Sequence, residues 1–200
     1  MSKERLKSPR ARMFVALDLP DRVRAALAAW GEAELTDPAL RRVPEQNLHV
    51  TLAFLGWRPE KDAERVAALI AECAAPAPLL ELGDPVAKPS LRRARLFALP
   101  AASPGAEQIE SRLSPLLEAE RLYEREKRPF WPHLTVARVR SAGRGSRRPL
   151  AVERPPGALS PGLSEPFYGV RLTLYRSVLQ PQGAVYSPLA QVELPGAGQQ

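Results

Sequence analysis

Two histidines occur in the 200-residue chain, His49 and His133, and each is followed two positions later by a threonine, Thr51 and Thr135, although only four threonines are present. Chance gives that coincidence about four times in ten thousand. On an extended strand, side chains at i and i+2 share one face roughly 6.5–7 Å apart, so each pair presents an imidazole and a hydroxyl together. Histidine ionises near neutrality, with an ordinary pKa of about 6.5, and a threonine hydroxyl donates to phosphate oxygens. If two such strands face each other, the fitting cargo is a phosphodiester. One imidazole removes a proton from an attacking water, and the other protonates the departing oxygen in line with it. The spacing leaves open which histidine takes which role. A lone histidine on an apolar strand is ordinarily a packed or surface residue; the pairing is what argues for chemistry. Zinc fits poorly, because two histidines without Cys or carboxylate at ligand spacing fall short of three or four protein ligands. No metal and no cofactor is expected.

The elements that must carry these residues come in two similar sets. Met13 to Leu19 reads as a buried strand stopped by Pro20. A helix follows that Asp21 can cap, with Val23, Ala26, Leu27 and Trp30 on one face. After a polar turn over 36–47, LHVTLAFLG is a second strand with Gly56 as its stop. Residues 60–75 form an amphipathic helix through Val66, Leu69, Ile70 and Cys73. The order then recurs: RARLFALP at 93–100 resembles RARMFVALDLP at 10–20, a helix with Ile109, Leu113, Leu116 and Leu117 follows, and then PHLTVARV. Phe14 precedes His49 by 35 positions and Phe97 precedes His133 by 36. A duplication of this kind predicts two lobes about a pseudo-twofold axis. The segment 141–166 is too rich in Pro, Gly, Ser and Arg for regular structure and reads as a long, mobile loop. The closing YGVRLTLYRSVL and AVYSPLAQVEL, joined by QPQG, read as a hairpin that extends a sheet.

Composition sets the surroundings. With 44% hydrophobic and 26% charged residues the chain is an ordinary globular protein, expected as one two-lobed domain over 1–200 with a flexible basic tail at about 1–11. No run approaches the ~20 apolar residues that cross a bilayer, and the N-terminus has no secretory pattern, so a cytoplasmic setting away from membranes is expected. A single Cys73 builds no disulfide framework. The net charge of +7, from 29 Lys plus Arg against 22 Asp plus Glu, makes a polyanionic partner plausible, although a GC-rich genome also enriches arginine.

The two His-x-Thr motifs, NLHVTLAFLG and RPFWPHLTVARV, with the opening RMFVALDLP and the closing LYRSVLQPQGAVYSPLAQVEL, resemble the bacterial and archaeal RNA 2',3'-cyclic phosphodiesterases, also called 2'-5' RNA ligases, of the 2H phosphoesterase superfamily. The resemblance runs from about Arg12 to Leu194. It implies an α+β fold of two pseudo-symmetric lobes, each an antiparallel sheet with helices on its outer face and the active-site cleft between them. It also implies a monomer that hydrolyses the 2',3'-cyclic phosphate at RNA ends to a 2'-phosphomonoester, without a metal and without an obligate protein partner. By that resemblance His49 donates the proton to the leaving 3' oxygen, His133 is the base that activates water, and Thr51 and Thr135 hold the phosphate. Arg138 becomes a phosphate-binding candidate, although strict alternation from Thr135 would turn it to the opposite face.

Phe54 and Trp131 flank the motifs and can stack on an unpaired base, or serve as packing and rim residues. Arg128, with Arg140, Arg144, Arg147 and Arg148, can meet the RNA backbone or remain solvated. Two rival readings stay open. One is the same chemistry on small cyclic nucleotides or ADP-ribose cyclic phosphate, or 2'-5' joining in reverse; the other is a non-catalytic RNA-binding module.

Overall fold

The computed structural model describes residues 9–143, 145–180 and 183–196. Along the chain run β1 (Arg10–Asp18), α1 (Asp21–Glu34), β2 (Leu40–Arg42), β3 (His49–Pro59), α2 (Asp62–Glu72), β4 (Leu79–Leu82), β5 (Val86–Lys88) and β6 (Leu96–Ala102). Then come α3 (Pro104–Ala119), β7 (His133–Val139), β8 (Phe167–Tyr168), β9 (Arg171–Gln180) and β10 (Gly183–Glu193). The fold is α+β, with one mostly antiparallel sheet ordered β10-β9-β1-β3-β7-β6-β4-β8 and with β2 added to β7 and β5 to β6. The two expected sheets are thus halves of one. They join where β3 meets β7 through the single register pair Val50↔Leu134.

Local sequence explains the placement. β1 lies between β9 and β3 and buries Met13 through Leu17 without a break, which its uninterrupted apolar run requires. α3 begins where Ser103 Oγ accepts from the Ala106 amide at 3.1 Å, a side-chain cap followed by Pro at the first helical position. Its Ile109, Leu113 and Leu117, four residues apart, are fully buried, and each such side chain is worth about 1.5–3 kcal/mol. α2 buries Val66 and Ile70, with Cys73 just past its end, and packs on β9 and β10.

Several boundaries differ from the sequence reading for identifiable reasons. Pairing to β3 draws Arg10 and Ala11 into β1, so strand begins inside the expected tail, whose residues 1–8 lie outside the described residues. Pro20, not Asp21, sits at the N-cap of α1, its carbonyl accepting from the Val23 and Arg24 amides at 3.0 Å; Asp21 instead pairs with Arg24, and Ala26 is exposed. The polar turn at 36–47 contains β2, which leaves its own half of the chain to pair with β7. The hairpin forms with Gly183 opposite Gln180, and residues 181 and 182 of its QPQG connection lie outside the described residues.

Among its described residues the segment 141–166 has no strand, and its later part is hydrogen-bonded to the rest of the fold. Asp37 accepts from the Glu153 and Arg154 amides at 2.8 Å each, which holds its carboxyl below the usual carboxylate range. Asp84 accepts from Leu159, and the Trp30 indole donates to the Ala158 carbonyl at 3.2 Å. Leu159 and Leu163 are buried beside them. These contacts anchor the segment at residues 153, 154, 158 and 159.

Candidate active site

The seam between the two half-sheets positions the histidines. Val50 and Leu134 are opposite each other and fully buried. Their neighbours His49, Thr51, His133 and Thr135 are all half-buried, so they occupy the other face. An antiparallel register about Val50↔Leu134 sets His49 toward Thr135 and His133 toward Thr51. All four line one cleft of about 540 Å3, together with Arg12, Arg41 and Arg138. Among the described residues its only permanently charged lining groups are these three arginines, and none of them forms an ion pair.

Beyond the threonines, the two motifs bend in the same way. In β3, Thr51 pairs with Ala16 and Ala53 with Val15, leaving Leu52 as an extra residue; in β7, Thr135 pairs with Ala98 and Ala137 with Phe97, leaving Val136 extra. Each bulge falls three residues after its histidine. A bulge re-aims the side chains that follow it. It returns Phe54 and Arg138, both five residues after a histidine, to the cleft face that strict alternation denies them. The duplication therefore extends to a matched pair of bulges, with an aromatic ring at one equivalent position and a guanidinium at the other. β3 has a second bulge at Leu55, beside Gly56 with φ +69°. Gly56 thus continues the strand instead of stopping it, and β3 runs on to Pro59 because the left-handed conformation is open to glycine.

Each imidazole is held by its own lobe. His133 Nδ1 lies 2.7 Å from the Trp131 carbonyl and so donates to it, which leaves Nε2 as the free nitrogen. The Trp131 ring stacks on His133 at 4.3 Å and 14°, and the Lys88 ammonium sits 4.1 Å from the same ring's centroid. Trp131 therefore braces His133. His49 Nε2 lies 3.0 Å from Thr51 Oγ1; its ring stacks on Phe14 at 4.9 Å and meets the edge of Tyr186 at 5.5 Å. Burial pushes His49 down to about 4, against an opposing pull from the Asp18 carboxylate. Burial also lowers His133, and the charges of Lys88 and Arg138 add to that. At pH 7 burial thus holds His49 neutral and biases His133 toward its neutral form.

A second cleft of about 660 Å3 shares Thr51, Phe54, Leu96 and His133 with the first and extends past Trp131. Arg128 lies on its outer rim, highly exposed and 3.7 Å from Glu126. Among the loop arginines, Arg140 bonds the Leu40 carbonyl, Arg147 and Arg148 are exposed away from the cleft lining, and Arg144 lies outside the described residues. The sequence reading missed Arg12, Arg41 and Tyr186. Arg41 sits on the unforeseen β2, and Tyr186 comes from the hairpin near the far end of the chain.

Beneath His49, Asp18 is its register partner on β1. Buried Asp18 accepts from Arg171 Nε at 2.9 Å, Thr173 Oγ1 at 2.8 Å and Tyr175 Oη at 3.0 Å. Burial and the Asp18 charge push the Tyr175 phenol up to about 12, so it stays neutral.

Comparison with known proteins places the whole chain. The sequence pattern of the 2'-5' RNA ligase superfamily matches residues 19–149, which include both His-x-Thr motifs. A Thermus thermophilus protein named RNA 2',3'-cyclic phosphodiesterase is 34% identical over 194 residues, covering 92% of this chain and 91% of that one. Its Escherichia coli namesake is 29% identical over 89% of this chain and 93% of its own. Among solved structures, that of the T. thermophilus protein TT0787 matches with a TM-score of 0.74 at 30% identity, covering 94% of this chain and 100% of its own. E. coli LigT complexed with 3'-AMP matches with a TM-score of 0.73 at 28% identity, covering 94% and 99%. The duplicated motifs, the shared seam and these likenesses over nearly the whole length make the chain a member of the 2'-5' RNA ligase superfamily.

Proposed function

We propose that the protein opens 2',3'-cyclic phosphate ends of RNA to 2'-phosphomonoesters by two-histidine acid–base catalysis that needs no metal. The observation that carries this reading is the convergence of both His-x-Thr pairs on one cleft whose permanent charges, among the described residues, are all positive. The names of the T. thermophilus and E. coli relatives supply the substrate class.

In this mechanism the cyclic phosphate lies over the seam between the two imidazoles. Arg138, with Thr51 and Thr135, holds its non-bridging oxygens. His133 is the base: its Nδ1–H is fixed on the Trp131 carbonyl, so Nε2 presents a lone pair to water. Water attacks phosphorus as its proton passes to His133, the bond to the 3' oxygen breaks, and His49 protonates that oxygen. A group whose acidity is raised by burial gives up its proton readily, which suits His49 to the donor role. Burial disfavours the charged form of both imidazoles in the free protein, so the anionic substrate draws in the proton that His49 delivers. The donor set supports chemistry without a metal: among the described residues the cleft lining offers two imidazoles and no carboxylate.

The test is turnover of a short RNA bearing a 2',3'-cyclic end, with the product identified by which hydroxyl keeps the phosphate, in the presence and absence of EDTA. A 2'-phosphate formed at the same rate in both supports the mechanism. A 3'-phosphate product or an EDTA-sensitive rate refutes it.

A further inference from the structure

The two successive bulges of β3 do more than present Phe54. Register places Phe54 opposite Phe14 and Trp57 opposite Arg12, and Phe14 and Arg12 are two residues apart on β1, hence on one face. Thr51, Phe54 and Trp57 therefore form a single row leading out of the cleft. Phe54 is 52% exposed and Trp57 61%. The free enzyme thus leaves two large rings in water on the catalytic face, and among the described residues no ring stacks on Trp57.

We propose that this row is a second nucleotide subsite, in which Trp57 stacks on a base upstream of the terminal cyclic phosphate and Arg12 meets the connecting backbone. The inference rests on the phosphodiesterase reading and deepens it: the substrate is an RNA end several nucleotides long, preferred over a cyclic mononucleotide. Three observations carry it. Trp57 stands roughly 13 Å along the sheet from Thr51, the rise from Ala16 to Arg12 on the partner strand, beyond the reach of one nucleoside seated at the histidines. The row is continuous with the cleft, through Arg12 and Phe54 in its lining. Its charge is complementary, because Arg12 is positive and makes no ion pair among the described residues. Sequence-tolerant binding of single strands combines these two elements, aromatic platforms and cations along the backbone.

The test compares kcat/KM for a five-nucleotide RNA with a 2',3'-cyclic end against 2',3'-cyclic AMP, in the wild type, Trp57→Ala and Trp57→Phe. Wild type should favour the oligomer, and Trp57→Ala should lower the oligomer-to-mononucleotide ratio roughly 5- to 100-fold, the worth of one stacked base. Trp57→Phe, which keeps a ring, should retain most of the preference. A wild-type ratio near one, or an unaltered ratio in Trp57→Ala, overturns the subsite and leaves the patch to a protein partner. Fluorescence anisotropy with the same oligomer ending in a 3'-phosphate separates the subsite from the catalytic reading. Affinity equal in wild type and Trp57→Ala overturns the subsite, whereas failure of the wild type to open either cyclic compound overturns the catalysis alone.

Discussion

The acidity of the two imidazoles dictates a pH profile that an ordinary pair of histidines would not give. With His49 pushed down to about 4, about one free molecule in a thousand carries its proton at pH 7, one factor of ten for each pH unit. His133 is lowered as well. A reaction that needs one imidazole charged and the other neutral gives a bell in kcat/KM whose two limbs belong to the pair jointly. Here both limbs lie below the ordinary value of about 6.5. Raising the pH removes the required proton, so kcat/KM falls about tenfold from pH 7 to pH 8. In the complex the phosphate anion favours the imidazolium, so the limbs of kcat alone sit at higher pH than those of kcat/KM. The assay is steady-state turnover of 2',3'-cyclic AMP between pH 4 and 9 at constant ionic strength. A kcat/KM that stays level or rises between pH 6.5 and 8.5 would sink the reasoning, since the donor would then not be a buried imidazole.

Other expectations can be checked with single variants. Replacing either His49 or His133 with Ala should lower kcat at least ~100-fold, and the double variant should cost far less than the product of the two, because the pair acts as a unit. Arg138→Ala should raise KM roughly 10-fold or more by removing a charged hydrogen-bond donor to the phosphate; it should also move the alkaline limb of kcat/KM upward, since a cation beside both imidazoles is gone. A KM change with no limb shift would place Arg138 away from the pair. Stability should fall on acidification through the window from about 6.5 to about 4, where the unfolded chain binds a proton at His49 that the folded chain refuses. The loss is on the order of 2 kcal/mol after allowing for the ring's partial exposure. Thermal unfolding of His49→Gln over the same window should show a shallower dependence than the wild type.

Much of this design is legible in the letters. The two His-x-Thr pairs, the repeated order of strand, helix and strand, and the terminal hairpin all follow from local pattern, because periodicity and turn residues act over a few positions. The bulges are not. In LAFL and VARV several neighbours are apolar, so a slip of one residue leaves the hydrophobicity nearly unchanged, and only pairing with β1 and β6 decides which residue is extra. That is why strict alternation turns Arg138 away from the cleft, and why nothing local singles out Trp57. β2 escapes for a related reason: three residues in a polar stretch become a strand only when β7 supplies the partner. The anchors of the loop at 141–166 are not legible locally, since they are the carboxylates of Asp37 and Asp84, far away in the chain.

Neither half of the chain owns the half-sheet that its repeat begins. The first half lends β2 to β7, and the last strands of the second half return to cover β1. Severing the polypeptide midway would strip each fragment of a neighbour it needs, so the duplicated halves are interlocked and unfold in concert. Heat or denaturant that loosens one histidine's support must dissolve the other's at the same moment, and inactivation should track global unfolding in a single transition.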